Sequence, residues 1–325
     1  MHGALLVDKP SGPTSHDIVA FARRALKTPA IGHTGTLDPL ATGLLVLLIG
    51  HATRLSRFLV TDEKEYVADV RLGVSTPTYD AESLDEAFRL KAEATGTSVE
   101  ATSAQTSLAS RGFRLEAEEV NRVLETFIGT YPQLPPPYSA KKVDGVRAYK
   151  KARKNQPVDL KPVEVTVREL ELLSDDPRPS TLDPPTLVRL RIVCTAGFYV
   201  RSLAQDIGQR LGCGAHLEAL RRTRAGTFRV ADALLLDAIG AAGPAIEARL
   251  VGLNTLLADL PAVTLTEEGL RRAGNGNTLG PAHLAGPIAG HVTRGRIRVL
   301  DPSGGLLSVA ERRADGLLHP VLVLR

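Results

Sequence analysis

Cysteine is scarce in this chain: Cys194 and Cys213 are the only two among 325 residues. That excludes a disulfide scaffold and fits a reducing cytoplasm, with both thiols expected in or beside the core. No run approaches the roughly 18 apolar residues of a membrane helix. Met1-His2-Gly3-Ala4 leads straight into an apolar strand, so no signal peptide is expected. The eight histidines are scattered, and neither C-x-x-C nor H-E-x-x-H occurs, so no metal site is expected. Walker and dinucleotide glycine patterns are missing too, and no cofactor is called for. Asn275-Gly276-Asn277 is only a turn signal.

Charge of either sign is modest in total. The net charge is +4, so its distribution matters more than its size. Between Lys141 and Lys154 stand seven basic residues and one acid, Asp144. Arg221, Arg222 and Arg224 form a second basic cluster, and Arg294, Arg296 and Arg298 a third. Each alone reads as a solvated face. Together they favour phosphate contacts if the partner is a nucleic acid.

The most informative segment runs from Gly32 to Gly43, Gly-His-Thr-Gly-Thr-Leu-Asp-Pro-Leu-Ala-Thr-Gly. It sets Asp38 in a turn of Gly, Thr and Pro, just before the apolar run Leu44–Ile49. A run so short, bounded by Gly43 and Gly50, reads as a buried strand. The glycines let the backbone approach a ligand, and Pro39 fixes the turn. Spacing alone fits an Asx-turn in a surface loop as well as it fits a catalytic acid.

Elsewhere helical and strand periods mix. Thr14 or Ser15 is placed to cap a helix with Ile18, Ala22, Ala25 and Leu26 on its apolar face. Tyr66, Ala68, Val70 and Leu72 share one face of a strand. Residues 84–113 are rich in Ala, Thr, Ser, Glu and Gln and read as an insertion. Ala117, Val120, Leu124 and Phe127 make a helical stripe that Gly129 should close, and residues 131–140 read as an extended loop. Val200, Leu203, Ile207 and Leu211 line a helix ended by Gly212. No regular β-α-β repeat emerges, so the fold class is α+β with a largely antiparallel sheet. The length suits one large domain, 1–250, and a small β-rich one, 251–325.

Five ordered segments resemble the TruB family of tRNA pseudouridine synthases. The Gly32–Gly43 segment meets the family's G-H-x-G-x-L-D-P-x-A-x-G-x-L pattern. Lys9-Pro10-Ser11-Gly12-Pro13-Thr14-Ser15 resembles its K-P-x-G-x-[ST]-S segment, and Lys64-Glu65-Tyr66 its K-x-Y strand. Gly197 to Arg201 resembles G-x-Y-[IV]-R, and Gly212 to Arg222 resembles G-x-x-A-x-L-x-x-L-R-R. The likeness spans about residues 3 to 250. The residues after 250 resemble the family's C-terminal PUA-like RNA-binding module.

The resemblance implies the pseudouridine synthase fold, a mixed sheet with outer helices and a cleft across it. It implies isomerisation of a uridine in the T loop of tRNA, uridine-55, by a cytoplasmic monomer. Asp38 takes the catalytic role. Burying an isolated carboxylate favours its neutral form, so a fixed cation is required, and the resemblance supplies Arg201. Tyr66 would stack on the base and could take a proton. Tyr199 and Leu220 would wall the pocket, and Lys9 would support its floor. A target uridine inside a folded loop must be flipped out. His33 would fill the gap, while Arg54 and the 141–154 segment would meet phosphates. The family's T-D-T-x-D-x-x-G run is altered here, with Pro77 and Ser83 at its second and last positions, but Asp80 is kept. Two rivals stand beside this reading. One is a tRNA-folding factor without catalysis, against which Asp38, Tyr66 and Arg201 all argue. The other is a synthase working on another RNA with guide RNAs, against which the compact C-terminus argues.

Overall fold

A computed structural model of the chain describes all residues except 60–62, 83–114, 140, 144, 153, 155, 157, 174–180, 183–185, 289–294 and 325. The insertion expected at 84–113 lies outside the described residues. Among those described, ten strands form one mixed sheet. Its main path runs Leu234–Leu235, Gly3–Lys9, Thr42–Ile49, Ala215–Ala225, Lys64–Leu72, Leu187–Cys194, Val163–Leu173 and Gly129–Gln133. Ile31–Thr34 pairs with Thr42–Ile49, and Phe228–Arg229 with Ala215–Ala225. Thr42–Ile49 is parallel to Ala215–Ala225, and Gly3–Lys9 to Leu234–Leu235. The other pairings are antiparallel. This is the α+β, largely antiparallel class that the mixed periods imply.

The run Leu44–Ile49 has no polar face because both its faces are buried. Leu45, Leu47 and Ile49 join a core shared with the helix Ser15–Ala25 and the helix Val200–Arg210. Leu44, Val46 and Leu48 join a second core with Leu256, Leu257, Val309 and Leu324. Each such side chain removed from water contributes roughly 1.5–3 kcal/mol. The sheet is thus clamped between helices on one side and C-terminal residues on the other. The strand Lys64–Leu72 instead alternates. Tyr66, Ala68, Val70 and Leu72 are buried. Its opposite face carries a cross-strand ion-pair ladder: Glu65 with Arg191 at 3.0 Å, Asp69 with Arg189 at 2.7 Å, and Arg71 with Glu218 at 2.8 Å.

Thr14 caps the first helix. Asp17 N donates to its Oγ1 at 3.1 Å, and Thr14 N donates back to Asp17 Oδ2 at 2.9 Å, a capping box. The helix Val200–Arg210 packs so close to the sheet that a Cβ at Gly208 would lie 2.1 Å from Ala215 N.

Two local expectations are corrected. The helix with the Val120 and Leu124 stripe ends at Glu125, and Gly129, with φ +108°, opens a strand. Tyr131 to Gln133 belongs to that edge strand rather than to a loop. Pro132 is tolerated there because an edge strand leaves one row of its amides unpaired within the sheet.

Beyond Pro261 a four-stranded sheet runs Ala262–Thr264, Arg296–Leu300, Leu306–Arg312 and Leu318–Val323. It has its own core of Val263, Leu265, Ile297, Val299, Ala310 and Leu318. Among the described residues, no helix is long and apolar enough to cross a membrane.

Candidate active site

The loop before Thr42 is held from below. Lys9 is fully buried, and its Nζ donates to the carbonyls of Pro10 at 2.9 Å, Pro39 at 3.1 Å and Ala41 at 2.6 Å. Burial lowers its pKa to about 8. Gly12 N also donates to Pro39 O at 2.9 Å. Ser15 Oγ donates to Leu37 O and accepts from Leu37 N, at 2.9 and 2.8 Å. Ala41 N donates to Asp38 O at 3.1 Å, closing a turn with Pro39 at its second position, where a fixed φ is favoured. Asp38 therefore projects from a turn whose backbone is satisfied by neighbouring elements.

Arg201, in the first turn of the helix Val200–Arg210, meets it. Its Nε lies 2.9 Å from Asp38 Oδ2, with the arginine side chain 7% exposed and the aspartate 36%. Nη1 lies 3.3 Å from Oδ2 of Asp80, which is 2% exposed. The same guanidinium donates to Thr78 O at 3.3 Å and Tyr138 O at 3.0 Å. Four acceptors fix it, as a planar fork allows. Burial raises the pKa of Asp80, opposed by a 2.6 Å hydrogen bond from Thr78 Oγ1 and by Arg201. The helix start is set by Gln133. Its Oε1 accepts from Tyr199 N at 2.8 Å, and its Nε2 donates to Tyr199 O at 3.0 Å.

Above the ion pair lies a cleft of about 240 Å³. Asp38, Tyr66, Tyr199, Arg201 and Leu220 all line it, so five of the expected residues converge. Among the described residues lining the cleft, Asp38 is the only carboxylate. Burial raises the pKa of Tyr66, favouring the neutral phenol, and does the same to Tyr199. Lys64 and Arg222 also line the cleft.

The remaining expected residues sit elsewhere. Lys9 lies under the loop, outside the cleft lining, with its donors committed to carbonyls that buttress the site. His33 is half-buried on the strand Ile31–Thr34, outside the cleft lining. Its Nδ1 is buried without a hydrogen-bond partner, and burial, then Arg222, lowers its pKa. Arg54 is exposed on a 3-10 turn, Gly50–Leu55, away from the cleft.

The described arginines of the second and third basic clusters have partners within the protein. The strand Ala215–Ala225 runs through the middle of the sheet and consumes its arginines. Arg222 is 1% exposed and donates from Nε to Leu44 O at 2.7 Å and from Nη2 to Gly35 O at 3.1 Å. Gly43, with φ +97°, permits that approach: a Cβ there would lie 2.3 Å from Arg222 O. Arg221 pairs with Asp8 at 2.7 Å and Arg224 with Glu63 at 2.9 Å. Arg298 donates to Leu260 O at 2.9 Å and Asn254 Oδ1 at 2.6 Å, and Arg296 pairs with Glu311 at 3.4 Å. Arg294 and Arg153, and the side chains of Lys142 and Lys150, lie outside the described residues.

Sequence reasoning missed Asp80 as the second anchor of Arg201, and Arg222 as a cleft residue. The T-P-T-Y-D run signalled the first. Nothing local signalled the second.

Known proteins match this chain over most of its length. Residues 23–200 match the model described as TruB family pseudouridylate synthase, N-terminal domain. Residues 201–259 match that of the tRNA pseudouridylate synthase B C-terminal domain. The chain is 38% identical to tRNA pseudouridine synthase B of Solibacter usitatus over the whole of both chains. It is 44% identical to the protein of that name from Opitutus terrae over 77% of this chain and 92% of the relative. Two solved structures share the fold. One, a Cbf5-Nop10-Gar1 complex, has a TM-score of 0.68 at 22% identity, covering 99% of this chain and 85% of that one. The other, an H/ACA RNP bound to a substrate RNA containing 2′-deoxyuridine, has 0.67 at 21%, covering 99% and 85%. With its two matched segments, its full-length relative and its aspartate-arginine cleft, this chain belongs to the TruB family of pseudouridylate synthases.

Proposed function

We propose that the enzyme isomerises uridine to pseudouridine in the T loop of tRNA, at uridine-55, with Asp38 acting in a base-flipping cleft. The observation that carries this reading is the lone cleft carboxylate, held 2.9 Å from a buried arginine. The reaction breaks the N1–C1′ bond of one nucleotide and joins C5 to C1′ instead. It is redox-neutral, and the demand on the protein is an anion placed against the sugar or the base. Asp38 is partly exposed to the cleft, and the ion pair to Arg201 fixes its direction.

The walls suit a pyrimidine. Tyr66 offers a flat ring for stacking and Leu220 an apolar edge, while Tyr199 faces the ion pair. A uridine reaches this depth only after leaving its stack. His33, neutral and planar, is suited to close the gap left behind. Arg54 and the segment 141–154 are assigned to the phosphates of the T stem, and the four-stranded C-terminal sheet to a PUA-like contact with the rest of the tRNA. A monomer in the cytoplasm is the working form, consistent with the free, buried Cys194 and Cys213.

Tritium release from C5-labelled uridine in a tRNA transcript tests the reaction, because C5 exchanges its hydrogen for the new bond. Mapping the product by primer extension tests the position. Absence of release rejects the reaction, and release with product outside the T loop rejects the site.

A further inference from the structure

The described part of the altered run, 76–82, does more than hold Arg201. We infer that Glu82 is a positioning residue for Asp38, acting through the backbone of the catalytic turn. The inference rests on the reaction proposed above.

Across the turn Asp38-Pro39-Leu40-Ala41, the backbone groups with partners are each accounted for. Asp38 O accepts from Ala41 N. Pro39 O accepts from Lys9 Nζ and Gly12 N, and Ala41 O from Lys9 Nζ. Those anchors come from the turn itself or from the N-terminal strand and its loop. Leu40 N is different. In a turn closed between its first and fourth residues, the third amide points outward and cannot bond within the turn. Here it donates to Glu82 Oε1 at 2.9 Å, across 42 residues of sequence. Glu82 thereby satisfies an amide that the turn itself leaves without a partner.

The segment that brings Glu82 there is itself built into the site. Glu82 N donates to Asp80 Oδ1 at 3.2 Å, and Asp80 Oδ2 meets Arg201. Ala81 N donates to Leu217 O, and Leu217 N to Tyr79 O, both at 3.0 Å, which ties the segment to the central strand Ala215–Ala225. Asp38 is therefore aligned twice from the same segment. Its carboxylate is held through Arg201 and Asp80, and its turn through Leu40 and Glu82. The charge of Glu82 opposes that of Asp38, so its use at this place is geometric. A hydrogen-bond acceptor of the same reach serves as well as a carboxylate.

That distinction gives the test. Glu82→Gln keeps an oxygen at the same distance and removes the charge. Glu82→Ala removes the acceptor. Single-turnover rates are measured with saturating tRNA transcript, alongside tRNA affinity and the unfolding midpoint. Glu82→Ala is expected to slow the chemical step by about 10- to 100-fold, the scale of sub-ångström to ångström misplacement. Affinity should stay within about threefold, because ground-state binding is intact. Glu82→Gln should stay within about threefold of wild type in rate. Equal rates for Glu82→Ala and wild type overturn the inference. So does a Glu82→Gln variant as slow as Glu82→Ala, which would assign the effect to charge. If Glu82→Ala lowers the unfolding midpoint, the rate is measured at a temperature where it is folded, and the Gln rescue still decides. A wild-type enzyme without turnover on this RNA would instead reject the proposed reaction, leaving the two failures distinct.

Discussion

Arg201 holds Asp38 by Nε at 2.9 Å while its Nη1 lies 3.3 Å from the buried Asp80, so one guanidinium serves two carboxylates. The two halves of that arrangement do different work. The Asp38 side faces the cleft, where the proposed chemistry would take place. The Asp80 side is sealed and carries orientation and stability.

Asp38→Asn keeps the shape of the side chain and removes its charge. Turnover should fall by about a thousandfold or more, the scale seen when one electrostatic interaction with a transition state is removed. Affinity for tRNA should change little, because that interaction forms fully only in the transition state. Substantial turnover by the purified variant, free of wild-type enzyme, would remove Asp38 from the catalytic role.

Arg201→Met should abolish activity and also destabilise the fold, by about 3–5 kcal/mol if Asp80 keeps its charge. The loss is smaller if Asp80 takes up a proton, which its burial already favours. Adding Asp80→Asn to Arg201→Met should recover much of the stability and none of the activity. Urea unfolding of the three proteins checks this. An Arg201→Met variant as stable as wild type would show that the sealed pair is not a structural anchor.

Tyr66 has a ring and a hydroxyl, and they are separable. Tyr66→Phe keeps the stack, so tRNA affinity should hold. Single-turnover rates should drop by about a hundredfold if the hydroxyl takes part in proton transfer. A near-wild-type rate excludes that role and leaves Tyr66 as a stacking surface.

Lys9 predicts opposite responses of activity and stability to pH. Its folded pKa, about 8, lies below its ordinary value of 10.5 because of burial. The cost of burying the cation is thus present at neutral pH and relieved above about 8, where the folded chain sheds a proton that the unfolded chain keeps. The contribution of Lys9 to stability rises between about 8 and 10.5. A neutral amine has only two donors for three carbonyls, so the catalytic loop loosens and activity falls through the same midpoint. Rates and unfolding midpoints measured across pH, compared with Lys9→Met, check the pair of trends. An alkaline limb that persists in Lys9→Met would belong to another group.

Changing Lys150 and Lys151 to Ala should weaken tRNA binding and flatten its salt dependence, by roughly 0.7 to 0.9 in log–log slope for each phosphate no longer neutralised. Arg221→Ala should leave the slope unchanged, because Arg221 is engaged with Asp8. A salt series on both variants decides, and a slope change in Arg221→Ala alone would reverse the assignment.

Much of this protein is legible along the chain because its signals are local. The turn Asp38 to Ala41 is written in adjacent residues, and the strand after it in an unbroken apolar run. The alternation at Tyr66 shows which face is buried, and the spacing from Val200 to Leu211 shows a helix. These follow from backbone geometry and need no distant partner. What only the tertiary structure decided are contacts between residues far apart in sequence. Arg222 reads as one of three surface arginines until the strand Ala215–Ala225 is placed beside Thr42–Ile49, and then its Nε meets Leu44 O across 178 residues. The resemblance pairs Arg201 with Asp38, but its second carboxylate, Asp80, appears only when two loops meet over the same guanidinium. Glu82 reads as one acid before a long insertion, yet it holds the amide that follows Pro39. For Arg222 and Glu82 the side chain's own sequence neighbourhood is silent, because a charged group's role depends on which acceptors the fold brings within about 3 Å, and pattern along a chain carries no such distance.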